Sequence, residues 1–197
     1  MANPTPLRRG CFYHIYNRGV NREDIFRQER NYPYFLQLYA KHVASVADTY
    51  AYCLLRNHFH FLVRIKHEEE VKGTSSLKKP SQHFSNLFNA YAKAFNRAHD
   101  RTGSLFQRPF GRIEVTSDSY FAWLVVYIHH NPQRHGFVDD FRDWPYSSYQ
   151  AHLSTKPTQL RREVVLSWFD GSRGFTMAHE ATVDTQLLAP LVSEDLG

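Results

Sequence analysis

The stretch Asn57-His58-Phe59-His60-Phe61-Leu62-Val63 decides how the chain is built. On an extended strand successive side chains point to opposite faces, so His58 and His60 share one face while Phe59, Phe61 and Val63 share the other. The apolar face belongs against a core, and the polar face offers two imidazoles placed to hold one metal ion. Ordinary half-buried histidines give the same spacing in a chain with 12 of them, so the pair needs partners elsewhere.

Working outward, Tyr50 to Lys66 reads as two strands, and Cys11 to Arg18 as another, closed by Gly19. Asn21 to Asp48 is helical in pattern, with Pro33 breaking or restarting it. A polar loop through Gly73 and Pro80 leads into a helix reaching His99, for which Ser81 is a fitting N-cap. Ser104 to Val115 is extended, interrupted by Pro109 and Gly111. Thr116 to Ser119 supply caps for a third helix that should end before Pro132. Trp144 to Tyr149 reads as a turn into a short helix, and Arg161 to Phe169 as another, whereas the last twenty residues carry little pattern. Strands and helices alternating in this way predict an α+β sandwich, one sheet with helices packed on it, and a C-terminal extension.

At 197 residues, 42% of them hydrophobic, the chain can bury a real core, and its composition excludes disordered, collagen-like and disulfide-dense classes. Cys11 and Cys53 are the only cysteines, too few for a disulfide framework or a four-thiolate zinc site, and fit a reducing cytoplasm. No stretch has the length of a membrane span or a signal peptide, so no membrane role is expected. The net charge of +5 is unevenly spread. Lys72, Lys78, Lys79, Lys93, Arg97, Arg101, Arg108 and Arg112 face a single acid, Asp100, across residues 72–112. Phe84, Phe88, Tyr91, Phe95, Phe106 and Phe110 lie among these cations, a combination suited to single-stranded nucleic acid. The first four also recur at helical spacing, so much of the series must be core.

A second segment carries chemistry. In Tyr127-Ile128-His129-His130-Asn131-Pro132 the Tyr127 hydroxyl and the Asn131 amide lie four apart and share a side of the helix. A tyrosine is a competent oxygen nucleophile once a metal or base stands beside it. Packed into the preceding turn with Trp123 and Leu124, it is otherwise a core aromatic.

These segments together resemble a known family. His58-Phe59-His60 is similar to the His-hydrophobic-His (HUH) signature of single-tyrosine transposases of the insertion-sequence-200-like superfamily. Tyr127 to Pro132, followed by Trp144-Pro145-Tyr146-Ser147-Ser148, resembles the nucleophile helix and tail of REP-associated tyrosine transposases. His14 to Gly19 matches that family's opening strand, and Gly103 to Gln107 its middle segment, so the likeness runs from about residue 11 to about residue 150.

The resemblance implies a ferredoxin-like (RRM-like) sheet, an HUH nuclease domain over residues 1–150 and a helical extension over 151–197. It implies a transposase-like endonuclease and strand transferase in which Tyr127 attacks single-stranded DNA near hairpins and forms a 5′-phosphotyrosine link. His58 and His60 would bind Mg2+ or Mn2+, with Asn131, His130 or water as third ligand. DNA contacts are expected at Arg18, Arg64, Lys93, Arg97, Arg108 and Arg112, on a cytoplasmic protein acting as a monomer. Rival readings are a non-catalytic RRM-like binding module, a hydrolase of small phosphate esters, and a domesticated, inactive transposase.

Overall fold

In the computed structural model, residues 5–71, 73 and 78–181 are described; the expected loop at 74–77 and most of the final twenty residues lie outside them. Four strands, β1 (Phe12–Arg18), β2 (Ala47–Leu54), β3 (His58–Ile65) and β4 (Gly111–Val115), form one antiparallel sheet in the order β2-β3-β1-β4. Helices α1 (Asn31–His42) and α2 (Pro80–Ala98) cover one face. The other face is covered by α3 (Asp118–Arg134), with α4 (Tyr149–Leu153), α5 (Arg162–Trp168) and α6 (Ser172–Glu180) beyond it. This is the α+β, ferredoxin-like sandwich expected from the sequence. Among the described residues no helix is long and apolar enough to cross a membrane.

The period-2 reading of β3 holds residue by residue. Phe59, Phe61, Val63 and Ile65 enter the core beneath α1 and α2 together with Phe35, Phe84 and Tyr91. Leu62 enters the opposite core with Leu124, Tyr127 and Ile128 of α3, and His58 and His60 lie on that same side. Val165 and Phe175 belong to this second core, so the described part of the extension is packed against α3.

Three element boundaries differ from expectation for local reasons. Pro33 sits in the first turn of α1, where its missing N–H has no intrahelical partner to lose, so it starts the helix instead of breaking it. Pro80 does the same for α2, and Lys79 takes the cap position expected of Ser81. Helix α3 runs through Pro132 to Arg134; Ser117 caps its start by accepting from Tyr120 N at 3.2 Å, and Asn131 folds its amide back onto Tyr127 O at 2.9 Å.

Candidate active site

The site is built from the inner strands and the last turns of α3. Because His14 pairs with Leu62 and Tyr16 with His60, alternation along β1 brings His14 and Tyr16 to the face that carries His58 and His60. His14 stacks on Tyr16 and on His60, with ring centroids 4.9 and 5.1 Å apart. His58 and His60 meet edge to face at 5.1 Å. Tyr127 descends from α3 onto this cluster, its ring 5.8 Å from that of His60 and 6.4 Å from that of His14, edge-on to both. Arg134 lies over the Tyr127 ring at 5.1 Å, and His135 packs on His58 at 4.7 Å. The sequence thus led to Tyr127, His58 and His60 separately, and the fold brings them together.

Hydrogen bonds fix how the imidazoles could serve a metal. His58 Nδ1 stands 2.6 Å from Asn57 Oδ1, which can only accept, so Nδ1 donates. His60 Nδ1 bonds His14 Nε2 at 2.9 Å. In both rings Nδ1 is engaged and Nε2 is the nitrogen that would coordinate, the arrangement that orients metal-binding histidines. Asn131 is fully buried; its Nδ2 donates to Tyr127 O while Oδ1 accepts nothing from the described residues. Two imidazoles and an amide oxygen suit a divalent ion of intermediate hardness such as Mn2+. No group of three or more His, Cys, Asp or Glu is gathered for a metal among the described residues. His130, the alternative third ligand, bonds His179 O through Nε2 at 2.9 Å and stacks on Phe141, within the core around α6.

The predicted DNA-binding residues are dispersed. Arg18 lies opposite His58 in the β1–β3 pairing. Arg64, on the histidine face of β3, is held by Asp48 and Glu70, each at 2.6 Å. Burial of Asp48 works to raise its pKa, but hydrogen bonds from Arg64 and Arg161 outweigh it and hold the carboxyl below its usual value. Lys93 and Arg97 lie exposed on α2, beyond the opposite face of the sheet from the histidines, beside Tyr34. Arg108 and Arg112 line a cleft on that same α2 side. The interleaved aromatics are core: Phe84, Phe88, Tyr91, Phe95, Phe106 and Phe110 are all buried, so none is free to stack on a base.

Sequence reasoning missed His14 as a neighbour of the pair, and the placement of Arg134 over Tyr127 and of His135 against His58. The signal for His14 was its alternation with Tyr16 and Arg18, which becomes informative only once β1 is set beside β3.

The α+β sandwich has the fold of a solved tyrosine transposase. A solved REP-associated tyrosine transposase bound to a REP hairpin superposes with TM-score 0.59 over 80% of this chain and 88% of that one, at 17% identity. In sequence, a curated protein of Haemophilus influenzae, provisionally named a REP-associated tyrosine transposase, is 29% identical over 111 residues. That match covers 55% of this chain and 62% of the relative. No protein-family model matches the chain. Fold and relative together bear out the resemblance to REP-associated tyrosine transposases that the motifs carry.

Proposed function

We propose that this chain is a cytoplasmic, single-stranded DNA endonuclease and strand transferase acting beside hairpins, with Tyr127 as nucleophile. The observation that carries the reading is the edge-on approach of the Tyr127 ring to His60 at 5.8 Å, from different elements 67 positions apart in sequence. The hairpin partner is extended to this chain from the solved neighbour.

Tyr127 Oη would attack the phosphorus of a phosphodiester, forming a 5′-phosphotyrosine bond as the bond to the 3′ oxygen breaks. The phenol gives up its proton and the departing oxygen takes one up, leaving a 3′-hydroxyl. The Arg134 cation over the ring favours negative charge on the attacking oxygen. His58 and His60, with Asn131, would hold Mg2+ or Mn2+, which supplies Lewis-acid charge to the scissile phosphate. Asn57 and His14 act behind them by fixing the imidazoles' orientation. Because the covalent link conserves the energy of the broken bond, a DNA 3′-hydroxyl can reverse the step without a nucleotide cofactor, which is strand transfer. Both halves of the site come from one chain, which supports action as a monomer.

Tyr127 is only 1% exposed, which favours a second reading, hairpin binding without cleavage. Incubation with labelled hairpin DNA and Mn2+ or Mg2+, followed by denaturing electrophoresis, separates the two. Cleavage predicts a shifted band that survives denaturation, disappears with chelator and is absent in Tyr127→Phe but retained in Tyr120→Phe. Salt-sensitive binding with no adduct at any metal concentration would support the second reading and overturn the first.

A further inference from the structure

Along the outer edge of β2, on the side of the sheet that α1 covers, a cleft of about 570 Å3 lies between α1, β2 and residues 158–161, within the size range of ligand pockets. Its outer wall is fastened to the sheet: Arg161 N donates to Thr49 O at 2.9 Å, and Leu160 bridges to Thr49. Most of the lining is apolar. Leu36, Ala40, Ala44 and Leu160 stand around the Phe61 ring, on which Tyr39 stacks at 4.5 Å. The Tyr39 and Thr49 hydroxyls bond each other at 2.7 Å, so neither is offered as a nucleophile.

One part of the lining is charged, and its charges do not cancel. Lys66 and Arg161 stand there with a single carboxylate, Asp48, at 3.7 and 3.1 Å. Arg64 claims the same carboxylate at 2.6 Å and is itself shared with Glu70. Three cations therefore meet two carboxylates, which leaves one positive charge without a counterpart in the cluster. The Arg161 side chain is 48% exposed and meets Asp48 through Nη2, so its other N–H groups can reach a ligand.

We infer that this cleft binds a small organic monoanion, an apolar or aromatic body that carries one carboxylate. The carboxylate is held at Lys66 and Arg161, and the body lies along Phe61 and Leu160. A single negative charge matches the surplus. Inorganic phosphate would leave the apolar wall uncovered, and a neutral molecule would leave the charge unanswered. Such an occupant touches α1, β2 and the link between α4 and α5 at once, so its binding stabilises the packing of the C-terminal extension on the sheet. The inference goes beyond DNA cutting and does not depend on it.

The test is a nuclear magnetic resonance titration of the full-length protein with phenylbutyrate. Phenylbutanol supplies the same body without the charge, and inorganic phosphate the charge without the body. Phenylbutyrate should saturably shift the backbone signals of Ala40, Thr49 and Leu160, leave that of His58 in place, and bind about tenfold more tightly than phenylbutanol, the scale of one charge-assisted contact. Arg161→Gln should abolish this preference and leave phenylbutanol affinity unchanged, a ratio that a folding defect does not mimic. Ala40→Phe should weaken both by filling the cleft. Saturating hairpin DNA should leave phenylbutyrate bound. Equal affinity for acid and alcohol, the same shifts with phosphate, displacement by hairpin DNA, or no saturable shift with any probe overturns the inference. None of these readouts involves Tyr127, so a missing covalent adduct removes the cutting reading and leaves this one, and a silent titration does the reverse.

Discussion

His129 Nδ1 stands 2.8 Å from His179 Nε2, and the ends of the chain they form fix every proton along it. His179 Nδ1 faces Phe175 O at 2.8 Å, which can only accept, so in a neutral ring Nε2 accepts from His129. His129 Nε2 then accepts from the Ser148 hydroxyl at 2.7 Å, and Ser148 Oγ accepts from Tyr52 N at 2.9 Å. All partners are satisfied with both rings uncharged, and the chain ties α6 to the Tyr127 helix and to β2.

Acid should loosen this tie. Burial pushes His152 down to about 4 and His179 down to about 3. Both are neutral in the folded and unfolded chain above about pH 6.5, so their linkage is absent there. As pH falls below 6.5 only the unfolded chain takes up protons, and stability is lost progressively down to about pH 4 for His152 and about pH 3 for His179. Each contributes a slope of roughly 1.4 kcal/mol per pH unit in that window. Urea titrations from pH 7.5 to 4.5 should show a falling midpoint, and His152→Leu should flatten the fall; an equally steep fall in that variant would contradict the assignment.

Asp48 holds a cluster of cations together. Arg64 at 2.6 Å, Arg161 at 3.1 Å and Lys66 at 3.7 Å all converge on a carboxylate that is 7% exposed. Asp48→Asn leaves these charges facing each other, and the expected loss is about 2 to 3 kcal/mol, moderated because Arg161 is half exposed. Chemical denaturation measures it, and a loss under 0.5 kcal/mol, about the scale of a weak surface pair, would show that the network is dispensable.

Gly111 is needed for space. A Cβ there would collide with the Tyr16 ring, which stacks on His14. Gly111→Ala should therefore cost about 1 to 3 kcal/mol and displace the ring stack behind His60. The nuclear magnetic resonance signals of His14 and His60 should shift, while those of His83 on α2 should not.

Arg134 tests the electrostatics of attack. Arg134→Met keeps the stem and removes the charge above Tyr127, so adduct formation should slow by about tenfold, roughly 1.4 kcal/mol, with hairpin affinity little changed. A parallel fall in affinity and rate would make Arg134 a DNA contact instead.

What could be read from the sequence was whatever depends on local period. The face of His58 and His60, the core placement of Phe59 and Phe61, and the helix presenting Tyr127 all follow from spacings of two, three and four. Proline positions were misread at Pro80, which starts α2 instead of ending the loop, and at Pro132, which is tolerated near the last turn, whereas Pro33, read as breaking or restarting a helix, restarts it. Arg64 reads as an available cation, yet its carboxylate partners Asp48 and Glu70 lie on other elements, so only the fold reveals the ion pairs. The His129–His179 contact spans 50 positions and has no signature in either segment. Helix α6 was not anticipated for the same reason: the packing of Phe175 and His179 defines it.

The sheet's two faces are completed at very different points along the chain. Among the described residues, the core under α1 and α2 draws its last buried member from Phe110, whereas the one under α3 waits for Phe175. During synthesis from the N-terminus, therefore, the first layer can consolidate while the side bearing His58 and His60 still lacks the cover that Phe175 completes among the described residues.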